Sequence, residues 1–251
     1  MSSTTSSVLT AQTLEGNRIL ALLTPEARQH MLPALTLVNL DMSSPLYEQH
    51  ELSTPLYFPL TAITSVFSEM GATVGREGMV GLSVFLGDET TVRGCSTQIS
   101  GTALSMGLED FQGMVADKGS GLHSILLRYT QALFGQLAQQ SACDRSHTME
   151  QRCARWILMT QDRVGHDEFP LTQKFLAYML GARRASVTIA ANILARTGLI
   201  RYTSEKIQVL DRGRLEEASC ECHGVIQREY ERLIPIKENV ESLKRCWAMF
   251  F

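Results

Sequence analysis

The sequence predicts an α+β fold in which a β-rich N-terminal half is followed by helices and a small C-terminal winged unit. Three observations predict it. Short β-prone runs fill the region from about Leu35 to Phe111, turn residues almost vanish from 119 to 165, and two short helical patterns flank a glycine near residue 181. At 251 residues, with 44% hydrophobic and 20% charged side chains, the composition is that of an ordinary globular protein.

The N-terminal half, bounded at residues 14–118, is predicted to be a β-domain. Its β-prone runs are LTLVNL, PLYFPL, ITSVFS, CSTQIS and ALSMGL, separated by Gly, Pro, Ser and Asp, a pattern typical of a sandwich or barrel. The preceding MSSTTSSVLTAQTLEGN lacks the basic and apolar regions of a signal peptide, so we expect a mobile arm and a cytoplasmic protein. The longest uncharged run, residues 52–68, contains two prolines and suits β-structure rather than a membrane span.

A long helix is predicted over residues 119–146. Apolar and amide side chains recur there at alternating steps of four and three, which predicts packing along a second helix. We therefore expect a homodimer with Leu122, Leu126, Tyr129, Leu133 and Leu137 at its interface. The alternative is a helix whose apolar stripe faces the core of its own chain.

The basic residues are concentrated in one block of the chain. Residues 151–214 carry 11 basic and 5 acidic side chains, a net charge of +6 (11 − 5), although the whole chain has a net charge of −3. An anionic polymer partner would need such a surface, and a solvated charged face is the alternative explanation.

The domain predicted at residues 147–233 contains a helix from about Thr148 to Val164 and then a helix-turn-helix. Thr172 is placed to cap a helix that begins at Gln173, and Gly181 ends that helix. The inward face of the first helix contains Leu176, Met179 and Leu180, and that of the second contains Val187, Ala190, Ala191 and Leu194. Two short strands around Thr203 to Lys206 predict a wing.

Double-stranded DNA is the partner that this unit predicts. Arg184, Ala185, Thr188 and Ile189 should face outward near the start of the second helix, where side chains meet base edges in a major groove. Phosphate contacts are expected from Gln173, Lys174, Arg183 and Ser186, and Thr172, Ser204 and Lys206 complete the predicted interface.

Other functions have less support in the sequence. The six histidines are scattered, neither GxSxG nor HExxH occurs, and no residue is nominated as catalytic, so we expect no enzyme. A protein-interaction module that binds an acidic partner through the basic block remains the alternative.

The six cysteines lie in dissimilar contexts without a CxxC pair, so free buried thiols, no metal and no cofactor are expected. The one ligand-rich cluster is Cys220-Glu221-Cys222-His223, for which the sequence shows no second ligand pair.

The segment LTQKFLAYMLGARRASVTIAANILARTGLI resembles the helix-turn-helix of the Crp/Fnr superfamily of bacterial transcriptional regulators. The resemblance extends through EQRCARWIL, LLRYTQALFGQLAQQ and GREGMVGLSVFLG, and it covers about residues 14–233. It implies a cyclic-nucleotide-binding-type β jelly roll, a dimerisation helix at 119–146, and a winged helix that binds a two-fold-symmetric DNA site. RNA polymerase is a further candidate partner. The tail 234–251 extends beyond the resemblance, and we expect it to pack on its own domain.

The departures from the family also carry predictions. The family's base-reading arginine, glutamate and arginine correspond here to Arg184, Ala185 and Ile189, so we expect a different operator. The effector positions that the resemblance implies are Gly78, Gly81, Leu82, Ser83, Arg93 and Leu137. The family's ribose-binding glutamate is missing from Gly78-Met79-Val80-Gly81-Leu82, and FSEMGATVGREG is shorter than the usual hairpin. We therefore predict no response to cyclic AMP.

Overall fold

A computed structural model describes residues 9–66, 72–90, 94–203 and 205–236. Its helices are α1 (Ala11–Leu14), α2 (Arg18–Ala21), α3 (Pro25–Met31), α4 (Leu82–Phe85), α5 (Leu108–Ala116), α6 (Leu122–Ser146), α7 (Met149–Val164), α8 (Gln173–Met179), α9 (Arg184–Arg196), α10 (Arg212–Ala218) and α11 (Cys222–Leu233). Its strands are β1 (Leu35–Leu40), β2 (Pro45–Tyr47), β3 (Leu56–Pro59), β4 (Ile63–Val66), β5 (Ala72–Val74), β6 (Cys95–Ile99), β7 (Gly101–Met106), β8 (Glu168–Pro170), β9 (Ile200–Tyr202) and β10 (Lys206–Val209).

Two antiparallel sheets form the β-domain. One has the strand order β1-β7-β3 and the other β2-β6-β4-β5. Leu35 pairs with Met106 at one end of β1 and Leu40 with Gly101 at the other, which fixes the register. All five β-prone runs contain a strand, whereas β2 and β5 were not predicted. The α+β fold class is confirmed.

The predicted mobile arm is wrong for residues 11–17. Leu14 is fully buried in the core, and the Asn17 side chain caps α2. The Asn17 amide also donates to the carbonyl oxygens of Pro59 (3.0 Å) and Gly78 (2.8 Å), so this segment is fastened to the β-domain. Residues 1–8 of the predicted arm lie outside the described residues.

The face of the central helix α6 that was predicted to form the dimer interface is buried inside its own chain. Leu122, Leu126 and Tyr129 are fully buried, and Leu133 is 6% exposed. All four belong to the same hydrophobic core as Leu56 and other residues of the β-domain, and Leu137 packs against that core. The predicted dimer interface is therefore wrong for these residues, because the β-domain covers their face.

The C-terminal helix α11 packs along α6 and completes that core. Ile226, Tyr230, Leu233 and the following Ile234 are buried in the same cluster as the β-domain residues. The last helix of the predicted 147–233 unit therefore packs mainly on α6 and joins the core of the β-domain. Of the predicted tail, residues 237–251 lie outside the described residues.

The winged unit contains α7 to α10 and the sheet β8-β10-β9. Thr148 and Gln151 form a capping box at the start of α7, and Gly165 ends this helix with a φ of 76°. The predicted wing strands are confirmed as β9 and β10, where Ile207 pairs with Tyr202. The third strand, β8, pairs with β10 and was not predicted.

The winged unit is packed directly against the β-domain. Ile63 and Ile99 belong to the same buried cluster as Leu176 and Met179 of α8. The Met179 sulfur accepts from Gln98 Nε2 at 3.2 Å. Among the described residues, no helix is both long and apolar enough to cross a membrane.

Candidate nucleic-acid interface

The helix-turn-helix is built from α8, α9 and the turn between them. The Thr172 hydroxyl accepts from the Phe175 backbone N–H at 3.2 Å, as expected of an N-cap. Gly181 has a φ of 57°, a left-handed conformation that glycine adopts without steric cost. The Ala182 N–H donates to the Ala177 carbonyl at 3.0 Å, which closes the turn after α8.

Helix α9 divides into an inward and an outward face as predicted. Val187, Ala190 and Ala191 are fully buried and Leu194 is 2% exposed. Ile189 is 60% exposed. The exposed residues near the start of the helix are Arg183, Arg184, Ala185, Ser186 and Ile189, and we call these five residues the recognition face.

The recognition face is strongly cationic. Arg183 is the N-cap of α9 and Arg184 its first residue, so both charges add to the positive end of the helix dipole. Other arginines of the chain are neutralised: Arg152 and Arg163 lie 3.0 Å and 2.7 Å from carboxylate oxygens. Within the described part of the chain, no such ion pair involves Arg183 or Arg184. This surface attracts an anion.

Two of the predicted DNA-contacting residues interact with each other. The Thr188 hydroxyl lies 2.8 Å from Gln173 Oε1 and 2.9 Å from the Arg184 carbonyl oxygen, and it can donate to either. Both side chains are half-buried. The Thr188 hydroxyl is thus hydrogen-bonded within the helix-turn-helix, and its contact with Gln173 joins α9 to α8.

The wing lies beside α9 and supplies further polar groups. Lys206 forms an exposed ion pair with Glu168 at 2.9 Å, while Lys174 at the start of α8 is exposed. Arg201 on β9 is exposed and donates to Gln208 Oε1 at 3.0 Å. It was not among the predicted DNA-binding residues, although alternation in Ile200–Tyr202 places it outward. The predicted Ser204 lies outside the described residues.

Tyr202 is a second residue that the sequence analysis missed. Burial raises its pKa to about 12, while the charge of Arg184 acts in the opposite direction. Its buried hydroxyl has no hydrogen-bond partner among the described residues. The interaction of Tyr202 with Arg184 places β9 of the wing near the first turn of α9.

The effector positions implied by the family resemblance are packed by the chain itself. A side chain on Gly78 would collide with the Tyr129 ring, and one on Gly81 would lie 3.2 Å from Leu56. The Ser83 hydroxyl lies 3.0 Å from that of Ser53.

Both glycines are therefore packed against side chains of the chain itself. Leu82 and Leu137 are half-buried against the core, and their side chains carry no polar group. Arg93 lies outside the described residues.

Glu77, the carboxylate next to Gly78, is turned away from any ligand and towards α7. Its Oε1 accepts from Arg163 Nε at 2.7 Å and from the Gly75 N–H at 3.1 Å. Burial by itself raises the pKa of Glu77, but the charge and hydrogen bond of Arg163 outweigh it and hold this pKa below its ordinary value. Glu77 thus joins the β-domain to the winged unit.

The side chains of the predicted cluster at residues 220–223 contact different parts of the chain. The His223 ring nitrogen Nε2 lies 2.8 Å from Asp162 Oδ2, and His223 is not part of the thiol group. Cys220 and Cys222 instead meet Cys143 and His147. The expectation that no second ligand pair exists is therefore wrong, because folding brings the end of α6 to this position.

Comparisons with known proteins agree with this geometry. Residues 151–218 match the family model described as a Crp-like helix-turn-helix domain. FixK2 from Bradyrhizobium japonicum is similar in fold, with a TM-score of 0.60 at 15% identity, over 74% of this chain and 98% of that one. A comparison with curated proteins gives no significant match.

Two further solved structures share the fold. A putative transcriptional regulator of the Crp/Fnr family from Eubacterium rectale has a TM-score of 0.57 at 17% identity, over 78% of this chain and 94% of that one. A putative cyclic nucleotide binding protein from Ruegeria pomeroyi has a TM-score of 0.58 at 15% identity, over 82% and 95%.

The matched domain and the exposed cationic helix define the class of the protein, which is a DNA-binding transcriptional regulator. The β-domain, the long α6 and the C-terminal winged unit complete the fold of that class. Residues 151–218 are thus a Crp-like helix-turn-helix domain, and the chain shares the fold of solved Crp/Fnr-type structures.

Proposed function

We propose that the protein is a homodimer that binds a two-fold-symmetric DNA site through α9 and regulates transcription in the cytoplasm, without using cyclic AMP as its signal. The observation that carries this proposal is the recognition face, where two adjacent arginines without ion-pair partners in the described chain stand at an exposed helix start. RNA polymerase is the further partner that a promoter-bound regulator would contact.

Base readout depends on three side chains. Arg184 can donate two hydrogen bonds to guanine O6 and N7, which discriminates against other bases by about 1–3 kcal/mol. Ala185 and Ile189 offer only methyl groups, which favour contact with thymine. Arg183, Ser186 and Lys174 are placed for phosphates, and we add Arg201 on the wing to this group.

The dimer is proposed to form through the uncovered face of α6. Leu127 is 52% exposed and Phe134 is 68% exposed, seven residues apart on one side of the helix. Gln131 and Ala138 lie on the same side and are exposed. This spacing of four and three is that of a two-helix seam, and apolar side chains of this size are seldom left in water.

The β-domain is proposed to be an altered sensor. The ring of Tyr129 lies against Gly78, and the nearest carboxylate, Glu77, is occupied by Arg163. Burying the ribose and phosphate of a nucleotide without matched polar groups costs several kcal/mol. Cyclic AMP is therefore not expected to bind here.

The first experiment selects DNA sites from a random-sequence library with the full-length protein. Selected sites should be two-fold symmetric, and affinity for them should fall steeply between 50 and 200 mM salt because bound phosphates release counterions (about 10³-fold or more for six or more contacts). Arg184→Ala should lose about 1–3 kcal/mol of preference for one base in each half-site. Arg214→Ala, an exposed arginine on α10, is the matched control and should keep that preference.

Selection of unrelated sequences, or a salt-independent affinity, would contradict DNA readout by α9. Adding cyclic AMP should leave the affinity for the selected site unchanged. A nucleotide-dependent increase would overturn only the altered-sensor part of the proposal.

A further inference from the structure

Four metal-ligating side chains converge where the end of α6 meets the start of α11. Cys143 lies in the last turn of α6 and His147 is the residue that follows this helix, while Cys220 and Cys222 come just before and at the start of α11. One ligand atom from each residue lies within 4.8 Å of all the others. Residues far apart in sequence thus form a single Cys₃His group.

The distances within this group suit one tetrahedral ion. Cys143 Sγ lies 3.4 Å from Cys220 Sγ, and Cys222 Sγ lies 3.7 Å from His147 Nδ1. With Zn–S near 2.3 Å and Zn–N near 2.0–2.1 Å, a tetrahedral site places its sulfurs about 3.8 Å apart and sulfur and nitrogen about 3.5 Å apart. The other ligand atoms lie within 4.8 Å of one another, so shifts of up to about 1 Å would complete the coordination.

The surroundings orient these ligands as in established metal sites. Glu221 Oε2 lies 3.2 Å from His147 Nε2, so a carboxylate holds one ring nitrogen while the other, Nδ1, faces Cys222. Gln139 Nε2 donates to Cys222 Sγ at 3.1 Å. Metal-binding histidines commonly have such a carboxylate partner, which fixes the tautomer and the ring orientation.

The local charge also matches the proposed occupant. Three thiolates and one neutral imidazole around a divalent ion carry a net charge of −1. Arg155 is 2% exposed, its Nε has no hydrogen-bond partner among the described residues, and its closest carboxylate, Asp144, is 4.0 Å away. Arg155 lies close enough to Cys143 and Cys220 to interact with them electrostatically. An anionic metal centre would give this buried cation a counter-charge.

We propose that Cys143, His147, Cys220 and Cys222 bind one zinc ion, which ties the end of α6 to the start of α11. Three thiol protons leave for solvent on binding and no electron is transferred. Because Cys220 follows α10 of the winged unit closely, the ion would also anchor that unit to α6. This proposal does not depend on DNA binding.

The test measures metal in the full-length protein, purified under reducing conditions. About one zinc ion per chain is expected, and Co²⁺ added to metal-free protein should give the visible bands of tetrahedral thiolate-bound cobalt. Cys143→Ser should lose the zinc and the thiolate-to-cobalt bands. Cys95→Ser, a buried cysteine of the β-domain, is the matched control and should keep both.

A second variant keeps the test decisive if Cys143→Ser fails to fold. Glu221→Gln changes an exposed side chain and should lower zinc affinity about 10- to 100-fold in competition with a chelator. Glu217→Gln, also exposed, should leave that affinity unchanged. Reduced wild-type protein without zinc or tetrahedral Co²⁺, or equal zinc affinity in the Glu221 and Glu217 variants, would overturn the proposal.

Discussion

The ion pair of Glu77 with Arg163 joins the β-domain to the winged unit. The two side chains are 9% and 8% exposed, and their charged atoms are 2.7 Å apart. Arg163 also donates to the Met159 carbonyl at 3.0 Å. Because both charges are paired and hydrogen-bonded, the pair tolerates its burial, but neither partner can be removed alone without leaving an uncompensated charge.

Replacing Glu77 by Gln should therefore destabilise the protein by about 3–5 kcal/mol, since Arg163 would remain buried without a counter-charge. The free energy of unfolding in urea measures this loss. Glu168→Gln is the matched control, because its pair with Lys206 is exposed on both sides and solvent screens it. A Glu77 variant as stable as the control would show that the pair does not hold the units together.

The same pair predicts how stability depends on pH. The pKa of Glu77 in the folded protein lies below its ordinary value of 4.5 because Arg163 outweighs the effect of burial. A carboxylate with a lowered folded pKa adds stability above its unfolded pKa and loses it as pH falls through the folded value. The difference in unfolding free energy between wild type and Glu77→Gln should thus be constant above pH 4.5 and shrink below it. A difference that does not change in acid would contradict this assignment.

Helix α6 shows how far an element can be predicted from its own sequence. Its length and its 3.5-residue spacing were predicted, but the face that packs inside the chain was assigned to the partner. Two apolar faces are present: one includes Leu126 and Tyr129, and the other includes Leu127 and Phe134. Only the position of the β-domain decides which face is covered, and periodicity does not contain that information.

Phe134→Glu should shift the dimer towards monomer, because a charge would be buried in the proposed seam. Replacing a hot-spot residue near the centre of an interface costs about 2 kcal/mol or more, so the dimer dissociation constant should rise about 30-fold or more. Sedimentation equilibrium measures it. Leu86→Glu, on an exposed leucine outside α6, should leave the constant unchanged. Equal dissociation constants for both variants would exclude this face as the dimer interface.

The helix-turn-helix was predicted in detail because its signals are local. The Thr172 cap, the Gly181 turn and the inward positions Val187 and Leu194 lie within one short stretch, and the structure confirms each of them. The Cys₃His group was missed for the opposite reason. Cys143 and Cys220 are separated by 77 positions, and only the packing of α11 on α6 brings them together.

At the scale of the whole molecule, the winged unit is fixed to the rest of the chain at several points. Met179 accepts from Gln98 on β6, Ile63 and Ile99 enter its core, and Arg163 pairs with Glu77. None of these contacts covers the recognition face. The recognition helix therefore has a fixed position relative to α6, and in a dimer formed through α6 its separation from the second copy is also fixed.

This rigidity predicts a strict spacing of the two half-sites in the DNA. Helix-turn-helix dimers bind half-sites about one helical turn apart, roughly 34 Å. Inserting about 5 bp between the half-sites turns one of them to the opposite face of the duplex, and inserting about 10 bp restores the face but roughly doubles the separation. If the winged units stay docked on the β-domain, the protein should bind both altered DNAs much more weakly than the selected site. Titration of the protein with each of the three DNAs measures this difference. Full binding to the 10 bp insertion would instead require winged units that leave the β-domain and swing on a flexible tether.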